Sequence, residues 1–189
     1  MAMKLKKQEI IDRTVVLAKK KGWANTSVRD ISKAIGYSTI KVYSEFGSKE
    51  DLMLEVQAQG FELLYNKYIE AIDKVTKPEK KLMAISVAHY QFSKTHRAYY
   101  EVMFNANGVS CKSPNGKVIN RAGEPIRTVI EEISGSCTRE KFMSWWSTLT
   151  GFVTISQQDN QSTEEEKASM LRGLIQIYLH GIVSQIFLI

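Results

Sequence analysis

Apolar residues recur along this chain at steps of three and four, and no stretch of useful length alternates as a half-buried strand does. Ile10, Ile11, Val15, Leu17 and Ala18 form one such face and predict a helix over 4–21, ended by Gly22. Thr26 and Ser27 offer N-caps to a second helix over 27–35, with Asp30 spaced to complete a capping box on Ser27. Its Val28, Ile31 and Ile35 face inward, and Gly36 stops it. Ser38 caps a third helix over 38–46, which Gly47 ends. Ser48 and Asp51 open a long fourth helix over 48–76. Pro78 opens a fifth, reaching 93, and a sixth spans 96–105; "NGVSCKSPN", 107–115, reads as a loop. Three more helices follow at 116–133, 138–156 and 163–187, the last with a capping box at Ser162 and Glu165 and three acids at its positive end. The pattern is that of an all-α protein of about nine helices. It predicts an N-terminal helix-turn-helix head of three helices, 1–52, and a larger helical body, 53–189.

The third helix has a particular economy. Val42 and Phe46 can join Val15, Trp23, Val28, Ile31 and Ile35 in one small core. That leaves Thr39, Ile40, Lys41, Ser44 and Glu45 facing outward. A short helix that follows a glycine turn, buries one edge and displays a mostly polar face has the design of a major-groove reader. Ser38, Thr39, Lys41 and Ser44 can hydrogen-bond base edges or phosphates. Ile40 suits a thymine methyl, or else is a partly buried packing residue. Glu45 either pairs with Lys41, four residues back, or accepts from a cytosine amino group, and the pair is favoured. Lys49, in the first turn of the fourth helix, sits where free N–H groups favour an anion. Arg29 and Ser27 open the second helix and suit backbone phosphates.

Charge strengthens this picture. The net charge of the chain is +6. Residues 1–52 carry eleven Lys and Arg against six Asp and Glu, while the remainder carries fifteen against fourteen. A basic head on a near-neutral body points to a polyanionic partner for the head alone. Two cysteines, Cys111 and Cys137, are too few for a disulfide framework and suit a reducing cytoplasm, with a redox role for the pair left open. "MAMKLKKQEIIDR" is charged and has no apolar centre, so no secretory leader is expected. Three dispersed histidines without clustered carboxylates predict no metal site, and no cofactor is expected.

The stretch "TSVRDISKAIGYSTIKVYSEFGSKEDL" resembles the DNA-binding signature of the TetR family of bacterial transcriptional regulators, over about residues 8–55. Ser32 stands where that family usually has Ala, Tyr37 where it has Val, and Glu45 where it has a second aromatic. The resemblance implies that Tyr43 and Lys49 contact phosphate. It also implies a homodimer, a body that encloses an apolar effector cavity, and a DNA operator as partner.

The body holds most of the aromatic residues. "AHYQFSKTHRAYYEVMF", 88–104, resembles the aromatic helix pair that borders the cavity in that family. His89, Tyr90, His96, Tyr100, Phe104, Asn105 and Trp146 are the candidate effector contacts, for a small apolar or aromatic-compatible molecule. The last two helices are apolar over much of their circumference, which calls for burial on two sides. Trp145, Leu149, Phe152, Leu171, Ile175, Tyr178 and Ile182 are the candidate dimer contacts, with Gly151, Gly173 and Gly181 allowing close approach. Residues 173–189 lack formal charge but are short and carry a polar stripe of Gln176, His180 and Ser184, so no membrane partner is expected. The expectation is a cytoplasmic, ligand-responsive, dimeric DNA-binding regulator, most simply a repressor. The alternatives are an activator or ligand-independent regulator of the same fold, and a helical enzyme, for which no catalytic constellation is visible.

Overall fold

The computed structural model describes residues 7–104 and 116–184. Among them the chain forms nine helices and no strand: α1 (Lys7–Lys21), α2 (Val28–Ile35), α3 (Thr39–Phe46), α4 (Lys49–Ile72), α5 (Pro78–Thr95), α6 (Arg97–Met103), α7 (Gly116–Ser134), α8 (Arg139–Gln158) and α9 (Glu164–Val183). The all-α reading therefore holds. The expected loop at 107–115, the start of α1 at 4 and the end of α9 at 187 lie outside the described residues. Most helix ends fall within two residues of expectation, and two differences are informative. α4 stops at Ile72 rather than near 76, where Val75 N donates to the Ile72 carbonyl (3.0 Å) in a tighter turn that does not continue the helix. α9 is boxed by Thr163 and Glu166, not by Ser162 and Glu165: the Thr163 Oγ1 accepts from Glu166 N, and Glu166 Oε2 accepts from Thr163 N at 2.7 Å.

The chain divides into two compact units, one of residues 1–63 with 96–119, the other of 64–95 with 120–189. The first reaches past the 1–52 head expected from the sequence, taking in more of α4 and also α6. Its core joins Ile10, Ile11 and Ala18 of α1, Ile31 and Ile35 of α2, Val42 and Phe46 of α3, and Leu52, Met53 and Val56 of α4, with Trp23 and Val102. Two buried hydrogen bonds fix α6 there. Trp23 Nε1 donates to the Ala98 carbonyl at 2.8 Å, and Gln57 Nε2 donates to the Val102 carbonyl at 2.8 Å, near the helix end where carbonyls lack helical partners. Gly60 lets α4 pass close to α6, since a Cβ there would come within 2.5 Å of the Met103 sulfur.

The second unit packs α5, α8 and α9 against one another. Its interior holds Tyr68, Leu82, Ile85, Ile126, Ile130, Trp145 and Leu149, all fully buried. Polar groups placed there are satisfied. Trp145 Nε1 donates to Ser86 Oγ (3.0 Å), which donates to the Leu82 carbonyl (2.8 Å). Tyr178 ties α9 to α8 through the Lys141 carbonyl (2.8 Å), and the buried Lys167 ammonium donates to the Asp159 carbonyl (2.6 Å). His89 is fully buried, with Nδ1 2.5 Å from the Tyr68 hydroxyl. Its ring is stacked with that of Tyr68 and meets Trp145 and Trp146 edge-on, at centroid distances of 6.1, 6.2 and 5.9 Å.

Burial in this apolar box pushes the His89 imidazole down from 6.5 to about 3, so it is held neutral. The unfolded chain binds that proton at its ordinary value and the folded chain does not. The contribution is therefore fully present above about pH 6.5 and is lost as pH falls toward 3. Below about 4.5, carboxylates with lowered values, Glu164 and Glu166 among them, add to the loss. Urea unfolding of the wild type should lose up to about 1.4 kcal/mol per pH unit from this group between about pH 6.5 and 4.5. His89→Phe should flatten that slope; an unchanged slope in the variant would place the acid sensitivity elsewhere.

Candidate nucleic-acid interface

The candidate reading element begins at Ser27. Its Oγ accepts from Asp30 N (3.2 Å) while Asp30 Oδ2 accepts from Ser27 N (3.0 Å), so two end groups of α2 are satisfied reciprocally. The Lys21 ammonium beside Asp30 (2.8 Å), with the Ser27 hydroxyl, holds that carboxyl well below the usual carboxylate range. At the other end Gly36 adopts a φ of 74°, its N–H reaching the Lys33 carbonyl, and Tyr37 N donates to the Ser32 carbonyl (3.0 Å). This is a helix-terminating left-handed cap. Two residues later Ser38 starts α3, its Oγ accepting from Lys41 N (3.3 Å). Gly47 ends α3 at a φ of 80°, so the candidate reading helix is limited to eight residues. Ser48 then caps α4, accepting from Asp51 N (3.0 Å) and donating to Asp51 Oδ2 (2.7 Å), with Lys49 the first helical residue.

The nine candidate contacts sit at the start of α2, along α3 with its cap, and at the start of α4, all within the first compact unit. Val42 and Phe46 face the core, as expected. Ile40 is 77 % exposed and Tyr43 49 % exposed, so Ile40 is a displayed residue and not a packing one. Ser27, Arg29, Ser38 and Ser44 are at least partly open to solvent, as are Thr39, Lys41 and Lys49. Lys41 is ion-paired with Glu45, the favoured of the two readings for that acid. Ser44 Oγ donates to the Lys41 carbonyl (2.9 Å). Sequence reasoning missed two supports of this element. Arg13 Nη1 donates to the Ala34 carbonyl (3.2 Å) at the C-terminal end of α2, where a cation is favoured. α6, anchored through Trp23, closes the core from far along the chain, and nothing in the local pattern of 96–103 signals it.

The candidate effector contacts do not form one cluster within one unit. His89, Tyr90 and Trp146 belong to the second; His96, Tyr100 and Phe104 belong to the first, and Asn105 lies outside the described residues. His89 and Trp146 share the aromatic box described above. Tyr90 packs on Phe152 (5.3 Å between centroids) and its hydroxyl donates to Glu164 (3.3 Å); burial, then that carboxylate, push the phenol up to about 12. Tyr100 and Phe104 pack together at 4.4 Å. Of the two cysteines, Cys111 lies outside the described residues, and burial pushes the half-buried Cys137 thiol up.

Of the candidate dimer contacts, Trp145, Leu149, Phe152, Leu171, Ile175, Tyr178 and Ile182 are buried within the single chain, and Tyr178 and Ile182 also line the groove between α8 and α9. The outward faces of α8 and α9 carry other residues. Ile155 is 68 % exposed and Ile177 70 %, and nothing lies within 4 Å of a Cβ placed on Gly151, Gly173 or Gly181. A groove of about 490 Å³ runs between the two helices, lined by Ser144, Thr148, Leu174, Ile177 and Gly181 among others.

Among the described residues no group of three or more His, Cys, Asp or Glu side chains is placed to hold a metal ion, and no helix is long and apolar enough to cross a membrane.

Residues 10–56 match the family described as bacterial regulatory proteins, tetR family. The HTH-type transcriptional repressor KstR2 of Mycolicibacterium smegmatis is 27 % identical over 86 residues, which are 46 % of this chain and 42 % of that protein. The chain thus spans less than half the length of the curated relatives it matches. Two solved structures share the fold over nearly the whole chain. The TetR family transcriptional regulator PfmR of Thermus thermophilus superposes with a TM-score of 0.63, covering 92 % of this chain and 98 % of that one at 21 % identity. The transcriptional regulator FadR of Bacillus subtilis, solved in complex with stearoyl-CoA, gives 0.67, covering 94 % and 100 % at 17 % identity. The capped helix-turn-helix, from α1 into α4, is thus the part of this chain that carries the pattern of the tetR family of bacterial regulatory proteins.

Proposed function

We propose that this chain is a homodimeric, DNA-binding transcriptional repressor that leaves a near-palindromic operator when its body takes up a small apolar effector. The observation that carries the reading is α3 itself: an eight-residue helix behind a tight glycine turn, anchored by Val42 and Phe46 and displaying Ile40, Tyr43 and Ser44. Ser27, Arg29, Tyr43 and Lys49 position the head on phosphates, and Thr39 and Ile40 face the bases, with Ser38, Lys41 and Ser44 beside them in bonds within α3. The two heads of a dimer would occupy half-sites about 34–36 Å apart.

The dimer is assigned to the outward stripes of α8 and α9. Ser144, Thr148, Gly151 and Ile155 share one face of α8, and Met170, Leu174, Ile177 and Gly181 share one face of α9, each at steps of four, three and four. Small residues beside a protruding isoleucine let two such pairs interlock about a two-fold axis. For the effector, the His89–Trp146 box is the first place to look, and FadR, which shares the fold, makes an acyl-CoA the first ligand class to try. Ligand and DNA would then oppose each other by one coupling free energy. A ligand-independent regulator is the second reading, favoured by the satisfied packing of His89 with Tyr68 and both tryptophans. Acyl-CoA titrations separate the two: quenching of tryptophan fluorescence with loss of DNA binding supports the first, and no change in either supports the second.

DNA binding should weaken steeply with salt. Lys49→Ala should weaken all duplexes alike and make the log–log salt slope shallower by about one, whereas Thr39→Ala should reorder the preferred sites. A Thr39→Ala protein with the wild-type ranking would remove that residue from the reading face. Ile177→Asp should convert the dimer to a monomer in sedimentation at concentrations where the wild type is dimeric; a dimeric variant would move the interface off α9.

A further inference from the structure

The reading helix, TIKVYSEF, carries one cation, Lys41. Its Nζ is paired with Glu45 one turn along, and both side chains are partly buried, at 28 % and 25 % exposure. The pair lies along the helix rather than out from it. Ser44 donates its hydroxyl hydrogen to the Lys41 carbonyl, and Ser38 holds the Lys41 N–H as a cap. These polar groups are turned toward the helix that carries them. Ile40 is the opposite case. At 77 % it has the highest exposure of the large apolar side chains that stand out among the described residues. A branched apolar side chain held in water at the centre of a reading face gains only when something apolar covers it. The base edges of the major groove offer one apolar group, the 5-methyl of thymine. A guanine edge, by contrast, is read by a cation reaching O6 and N7, and here the cation is engaged.

We propose that this helix selects its site by packing Ile40 against a thymine 5-methyl group, while Glu45 holds Lys41 back from guanine edges and phosphates. The inference rests on the DNA-binding reading above and names the chemistry of its site. It makes Glu45 a specificity residue that acts through Lys41, not by touching DNA. It also accounts for an acid on a surface that meets a polyanion: the acid removes a sequence-blind contact and leaves the methyl-dependent one to discriminate.

The test uses the full chain and random-sequence duplexes. Bound duplexes are enriched, and each thymine of the enriched sequence is replaced in turn by deoxyuridine, which lacks only the methyl. One thymine per half-site should lose about fourfold in affinity on replacement, the value of one buried methyl. That loss should vanish in Ile40→Ala, whose change is at an exposed position. Glu45→Gln should release Lys41, steepen the log–log salt slope by about one and enrich guanine in the selected duplexes. Enriched duplexes indifferent to deoxyuridine, an equal loss in Ile40→Ala, or an unchanged slope in Glu45→Gln would each overturn the inference while leaving DNA binding intact. No enriched duplex at all would overturn both it and the regulator reading.

Discussion

At Gly36 the chain passes between two eight-residue helices with a φ of 74°. A side chain in that backbone region costs roughly 1 kcal/mol or more. The cost here is conformational, since no atom lies within 4 Å of a Cβ placed there. The turn sends α3 back so that Val42 and Phe46 reach the core shared by α1, α2 and α4. A helix of eight residues anchored at two positions four apart has its opposite side fixed outward. The exposure of Ile40, Tyr43 and Ser44 follows from that geometry. So does the Lys41–Glu45 pair, which spans one turn on the flank between core and display face.

The second unit solves a different problem. It places a histidine, two tryptophans, a tyrosine and a serine in one interior, and each polar atom placed there carries a desolvation penalty unless it is bonded. The Tyr68–His89 and Trp145–Ser86–Leu82 hydrogen bonds meet that demand. Such a network specifies one packing because its partners are few and directional. The same filling of the interior explains why the bulky residues of α8 and α9 turn inward. It leaves Ile155, Ile177 and three open glycines on the outside.

Much of this is legible in the sequence, and the failures have physical causes. Helix existence and most ends follow from periodicity and caps; Ser27 with Asp30, Gly22, Gly36 and Gly47 all act as their residue types dictate. The α9 cap lies one residue from its expected place because Ser162/Glu165 and Thr163/Glu166 both satisfy the box spacing, and only the backbone chooses between them. The apolar stripes of α8 and α9 read as interface because a helix apolar on most sides does not say which stripe its own core consumes. The largest side chains, Trp145 and Tyr178, go to that core. The attachment of α6 through Trp23 and Ala98 joins residues 75 apart, and no local pattern encodes so distant a bond. Within α3 the sequence leaves two choices open, at Ile40 and at Glu45. In the folded chain Ile40 is displayed and Glu45 is paired with Lys41.

The central claim is that a short, fixed helix on each of two copies reads DNA. A hydroxyl-radical footprint of the full chain on an enriched duplex tests it most directly. The account predicts two protected patches on one face of the duplex, centred about 34–36 Å apart on a near-palindrome. A single patch, or protection spread without regard to sequence, would contradict it.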